Sequence, residues 1–445
     1  MMSRLALASL VLLLGSVVTG FADPPPLSLL DPNLLADEKL PPKKAIPETP
    51  SLPIFRMEDV SPPIQYKNYT ISDPPIDALT FFGVRADFLA WRMRDSPIGV
   101  PVVFNRTASQ IAIGNETVNL GTFDGARVGA TVWFDRDHTM GLDVDGIFFQ
   151  SRSTSRLVRS DGTGSPQYDR PFVNSATNQP FSIPLSIPSQ LDGGLATTLT
   201  QRFSTVDANL TARLFENYAV RLDFLGGFRY GELREGVSIT EGTQVINTDP
   251  NVTVTGGNLG PLATGSSLVI SDQFRVYNEF YGGQLGLRSY WTSDIVFVMF
   301  TGKAGLGLNR ETVRVNGSTT LASSASTAGV APIGGQNGFS AAQGLFTGPS
   351  NIGSQTHDAT SFLGEGNLTL GVNVAPRLKM YFGYSLLWWT NVIRAGGQLS
   401  NVVNASQVPF NTNPAATIGV NQPSVPFRQS DFWAFGWNIG ASWEF

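Results

Sequence analysis

The 445-residue chain has no cysteine, only two histidines, and charged side chains at just 15% of its positions. The lack of cysteine excludes disulfides and thiolate metal sites. Two histidines, His138 and His357, are too few at ligand spacing for an imidazole-rich zinc site. We therefore expect no metal and no cofactor. A net charge of −5 is too small to point to nucleic acid or to an acidic surface as a partner. After residue 22 no run of about 18 apolar residues occurs, which excludes a transmembrane helix. What is plentiful is glycine, with 46 residues, and aromatics at 11%, together with Thr, Ser and Asn. That composition suits sheet rather than helix.

The chain opens on Arg4, a short apolar core from Leu5 to Leu14, and small residues at Gly20 and Ala22. This pattern predicts a secretory signal peptide over residues 1–22. Residues 23–78 are expected to form an extended or disordered periplasmic segment. The stretch to Pro75 holds 13 of the 29 prolines, and proline can neither donate to a sheet ladder nor vary φ.

Residues 79–445 change character to period-two alternation. Phe82, Val84, Ala86, Phe88 and Ala90 fall on one face and Arg85 and Asp87 on the other; nine further segments repeat the pattern, beginning near Ala126, Met140, Val206, Val220, Tyr281, Val296, Phe362, Leu378 and Phe435. Strand side chains alternate between faces, so one face is suited to lipid and the other tolerates charge. Short turns at 135–139, 216–217, 292–294 and 375–377 alternate with long polar connections at 95–120, 152–200, 240–272, 315–359 and 395–429. That rhythm predicts an all-β fold: a transmembrane antiparallel up-and-down β-barrel of about ten strands in the cell outer membrane, with short periplasmic turns and long extracellular loops. Aromatics are expected to gird both edges of the membrane: Trp133, Phe134, Phe215, Tyr218, Tyr290 and Trp291 near the turns, and Trp91, Phe148, Phe149, Tyr230, Trp388, Trp389 and Trp433 near the loops. Trp443 and Phe445, in the lipid-facing phase of the last strand, are the candidate signal for the outer-membrane assembly machinery.

Several segments carry a resemblance. Phe280–Arg288 (FYGGQLGLR), Gly383–Val392 (GYSLLWWTNV), Asp431–Gly440 (DFWAFGWNIG) and Phe88–Trp91 (FLAW) resemble the planctomycete family of outer-membrane β-barrel porins, the seventh family of that title. The run Arg394–Gln398 (RAGGQ) is close to the family's Arg-Pro-Gly-Asp-Gln-like run, with Ala and Gly as departures. The resemblance implies an outer-membrane barrel and brings no substrate with it.

The inward phase carries Arg85, Arg127, Arg213, Arg221, Arg229, Arg288, Lys303 and Lys379 against Asp87, Asp143, Asp145, Asp207, Asp223 and Glu365. These are the candidate lumen-lining residues. Charge in a poorly solvated lumen must pair or meet water, and ten strands exceed only slightly the number that side chains can fill. A narrow or occluded lumen is expected, structural or porin-like. A different class of function, an adhesin or binding module, would use the long Ser/Thr/Asn/Gly-rich loops to hold a cell-wall or surface glycan. Catalysis is not expected. His357, Asp358 and Asp272 could be imagined as a rim group, but adjacent strand residues point to opposite faces. Oligomeric state is not legible.

Overall fold

Alternation of apolar and polar residues lets each strand satisfy oil on one side and side-chain partners on the other, and ten such strands close into a ring. The computed structural model describes residues 82–247, 264–322, 338–409 and 420–445. The expected signal peptide over 1–22 and the whole Pro-rich segment over 23–78 lie outside these residues. The ring consists of β1 (Phe82–Met93), β2 (Thr122–Trp133), β3 (Met140–Phe149), β4 (Leu191–Glu216), β5 (Val220–Val245), β6 (Ser267–Thr292), β7 (Val296–Ala322), β8 (Gly353–Ala375), β9 (Leu378–Ile393) and β10 (Gln429–Glu444). Each strand pairs antiparallel with its neighbour in this order, and β10 pairs with β1 to close the circle. Closure leaves no unpaired edge, which a bilayer requires.

The turns are built locally. Asp135 accepts from the Thr139 and Met140 amides at 2.7 and 3.3 Å. Asn217 accepts from the Ala219 and Val220 amides at 2.9 and 2.8 Å. Both are side-chain mimics of a backbone turn.

The outer face forms an apolar belt. Phe88, Val128, Leu210, Phe228, Leu285, Leu306, Leu370, Phe382 and Ile439 are all exposed. A contiguous apolar surface of this kind requires lipid around it. In register, the belt stops at one level: Ser204, Glu232, Glu279, Arg310 and Asp358 are successive cross-strand partners on β4 to β8.

The long connections differ from expectation. They are not solvated polar loops; much of their length is strand. Ser96–Asn105, Gln110–Val118, Tyr168–Asn174, Gln179–Pro184 and Val402–Val403 form a second, five-stranded sheet, and Arg152–Arg159 adds to β4. The barrel strands also run on. The 27 residues of β7 at about 3.3 Å each extend roughly 90 Å, far more than a hydrocarbon core of about 30 Å needs even with tilt. Beyond the belt, the inward faces of β4 to β7 turn apolar (Leu199, Val237, Phe274, Val313), and the connections pack Ile98, Val102, Phe172, Leu345, Phe346 and Leu399 against them. The polar average of these segments masks this core, because Gly, Ser and Thr stand between its apolar anchors.

Buried charge fixes the cap in place. Arg170 is fully buried, donating to Glu241 and Asp272 at 3.0 Å each, with Phe346 beneath its guanidinium. Burial pushes the Glu241 carboxyl up, while Arg170 opposes that shift. The Arg394–Gln398 run forms a 3₁₀ turn over Ala395–Gln398. There Arg394 donates to Glu235 at 2.7 Å and the Ala395 amide donates to the same carboxylate at 3.0 Å. Gly396 cannot be replaced there, since a Cβ would stand 1.7 Å from the Pro97 carbonyl oxygen.

Candidate functional site

The barrel interior has three levels. Nearest the turns, a cavity of about 430 Å³ is lined by Asp87, Asp143, Arg221, Asp223, Arg288 and Lys379, among others. Arg288 reaches Asp143 at 3.1 Å and Arg221 reaches Asp223 at 2.8 Å. The Tyr381 hydroxyl donates to Asp87 at 2.5 Å, and Lys379 pairs with Glu444 at 2.6 Å. Arg213 pairs with Glu216 at the rim and donates to the His138 carbonyl at 2.9 Å.

The middle level is crossed by ion pairs. Arg85 Nε donates to Asp145 at 2.9 Å, and Lys303 contacts both Asp145 at 3.5 Å and Asp207 at 2.8 Å. Glu365 accepts Arg127 on one oxygen and Arg229 on the other, each at 2.7 Å. Asn209 ties Asp207 to Gln284 through contacts of 2.5 and 2.6 Å. Free space among Arg85, Arg127, Asp145, Asp207, Lys303 and Glu365 falls to about 10 Å³, no more than one water.

The upper level is apolar. Leu89, Trp91, Phe123, Phe149, Phe203, Leu233, Phe280, Leu363, Trp389 and Phe432 form one buried cluster inside the ring. Phe203 lies 5.6 Å from Phe432 and 6.4 Å from Trp389, and Phe280 meets Trp389 edge-on at 6.1 Å. The indole of Trp389 donates to Ser361 Oγ at 2.9 Å.

All fourteen sequence-selected charges therefore meet a partner of opposite sign or, for Asp87, the Tyr381 hydroxyl. Eight cations stand against six carboxylates, and Glu216 and Glu444 supply the other two. Sequence reasoning missed those two and the polar links Tyr381, Asn209 and Gln284. It also misplaced five aromatics. Trp91, Phe149 and Trp389, expected at the lipid edge, are buried in the interior cluster. Trp133 and Tyr290 line the turn-end cavity, with the Arg221 guanidinium 4.7 Å from the Trp133 ring. The phase of the strand carried the signal: Trp91 shares parity with Arg85 and Asp87. Phe134, Phe148, Phe215, Tyr218, Trp291, Trp388, Trp443 and Phe445 are exposed.

The imagined rim group is not assembled. His357 Nδ1 lies 2.8 Å from Glu311, which also accepts Gln429 at 2.9 and 3.0 Å. Asp358 stands opposite Arg310 on the outer face, and Asp272 belongs to the Arg170 network. Burial pushes the Glu311 carboxyl up, against the pull of Gln429 and His357. Among the described residues no group of three or more His, Cys, Asp or Glu is placed to hold a metal ion.

A closed antiparallel ring with an apolar outer belt and a polar, ion-paired interior defines a transmembrane barrel of the outer membrane. Residues 97–445 match the family described as Putative beta barrel porin-7 (BBP7). The chain belongs to that family and is an outer-membrane protein. β1 lies ahead of the matched residues, although it completes the ring. Among curated proteins, none matches the chain. Solved structures similar to it include the outer membrane protease OmpT from Escherichia coli (11% identity, 82% of this chain and 96% of that one, TM-score 0.33). Others are the anion-selective porin from Comamonas acidovorans (8%, 82% and 98%, 0.16) and the P. putida toluene transporter TodX (7%, 82% and 90%, 0.14). Likenesses this distant carry no functional argument.

Proposed function

We propose that this protein is a structural, porin-related barrel whose lumen is sealed, with the turn end in the periplasm and the loop end outside the cell. The observation that carries this reading is the stacking of two unlike stoppers. An ion has to break buried pairs around Glu365 and Lys303, and then cross a layer of packed aromatic rings that offers too few hydrogen-bonding groups to replace its water. The fourteen charges, balanced together with Glu216 and Glu444, act as lumen-lining residues that stiffen the wall rather than as a selectivity filter. No step of chemistry is assigned to the interior, and the protein is read as a non-enzyme.

The test is conductance of the purified full chain in a planar bilayer. A membrane that stays closed supports the reading, while stable open steps overturn it. Trp443 on β10 and Phe445 just past its end, both exposed and with ring centroids 6.4 Å apart, are proposed as the signal read by the assembly machinery.

A second reading, a surface module for cell-wall or surface glycans, is favoured by the cap. An ordered sheet with its own apolar core offers a rigid platform where solvated loops would not. Binding of the purified chain to a glycan panel supports it; a blank panel counts against it.

A further inference from the structure

Beyond the apolar belt, the outward face of β4 to β7 carries Arg202, Arg234, Arg275 and Arg314, all exposed. Arg202 is the direct cross-strand partner of Arg234, and Arg275 is that of Arg314. Tyr277 stands between the two pairs, opposite Arg234, with the guanidinium of Arg314 at 4.9 Å and that of Arg234 at 5.7 Å from its ring centroid. Like charges placed directly opposite each other destabilise a sheet. Only Arg234 is compensated, by Glu232 at 2.5 Å. Among the described residues, no carboxylate pairs with Arg202, Arg275 or Arg314. The nearest acidic groups on this face, Glu232, Glu279 and Asp358, lie in the row closer to the belt, where Arg310 is the cross-strand partner of the last two. A groove of about 390 Å³ runs past Arg202, Arg234, Arg275 and Tyr277.

The height of the patch is set by the strands. Arg202 and Arg234 stand four residues past Val206 and Tyr230, the last large apolar outward side chains of β4 and β5. Four residues are about 13 Å along the strand and roughly 10 Å along the membrane normal after tilt. That is the headgroup level. Guanidinium forks suit phosphate oxygens in bidentate fashion and are less hydrated than ammonium groups.

We propose that these arginines bind the phosphate-monoester headgroup of a lipid in the leaflet on the loop side, seated in the groove beside Tyr277. The occupant is a lipid because the patch adjoins the belt, so that an acyl chain can lie on Tyr230 and Tyr281 while its headgroup meets the guanidiniums.

Native mass spectrometry of the full chain in detergent, with phosphatidic acid and phosphatidylcholine as probes, tests this. Retention of phosphatidic acid should exceed that of phosphatidylcholine by about tenfold or more, and millimolar inorganic phosphate should not displace it. The combined variant Arg202→Gln, Arg275→Gln, Arg314→Gln should lose the preference while keeping the heat-dependent gel shift of a folded barrel. If that variant fails to fold, Arg275→Gln alone, at an exposed position, should still lower the preference several-fold. Equal retention of both lipids, a preference that persists in the variants, or displacement by inorganic phosphate would each overturn the proposal.

Discussion

Glu365 is the most consequential single carboxylate in the barrel wall. Its two oxygens each hold a buried arginine, Arg127 and Arg229, at 2.7 Å, and among the described residues Arg229 is otherwise held by Thr205 Oγ1 alone, at 3.0 Å. Glu365→Gln preserves shape but removes the charge that both cations face. Breaking a buried pair by removing one partner costs about 3–5 kcal/mol, because the remaining charge is stranded. Two arginines lose their counterion here, so the upper half of that range is expected. Denaturant unfolding in detergent, followed by the gel mobility of unheated samples, measures the loss. Adding Arg229→Met should restore at least half of it by removing one stranded cation. A loss below about 1 kcal/mol for Glu365→Gln, the scale of a solvated surface pair, would refute the claim that this level of the lumen is closed to water.

Other consequences are equally direct. Trp389→Ala removes a fully buried ring, while Ser361 keeps its bond to the Thr390 carbonyl, and should cost about 3–5 kcal/mol by the same assay; the ion-paired level beneath should still keep bilayers closed. Glu311 has a carboxyl pushed up by burial, so its protonated form favours the folded cap. That contribution is fully present below the ordinary carboxylate pKa of about 4.3 and is lost as pH rises through the raised value. Hydrogen-exchange protection near His357 and Gln429 should therefore fall across that window, and Glu311→Gln should flatten the dependence; an unchanged profile would contradict it. Phe445→Ala should slow insertion into membranes by the assembly machinery while leaving the detergent-refolded barrel's stability within about 1 kcal/mol, since the ring is exposed; equal insertion rates would argue against the signal.

The ten barrel strands were legible because lipid enforces a strict rule on one face. Phe82, Val84, Ala86 and Phe88 on β1, or Trp437 and Ile439 on β10, leave no doubt of phase. Charge at Arg85, Asp143 or Glu365 was legible for the same reason. The aromatic level is hidden in the sequence because the residue type of Trp91 and Trp389 suits a membrane edge, and only their parity places them inside. Pairing partners such as Lys303 with Asp207 join strands far apart in sequence, and local pattern cannot specify which inward charges meet. The cap escaped for a further reason. Val100, Phe172, Leu345 and Leu399 belong to short apolar stretches set in long Gly-, Ser-, Thr- and Asn-rich connections, and they make a core only when four connections converge on the extended strands.

The account's central claim is that the lumen is sealed twice. Single-channel recording on the purified, folded full chain tests it most directly, with Glu365→Gln, Trp389→Ala and the double variant alongside. The account predicts closed bilayers for the wild type and for each single variant, with openings confined to the double variant. Steady conductance from the wild-type barrel would contradict it.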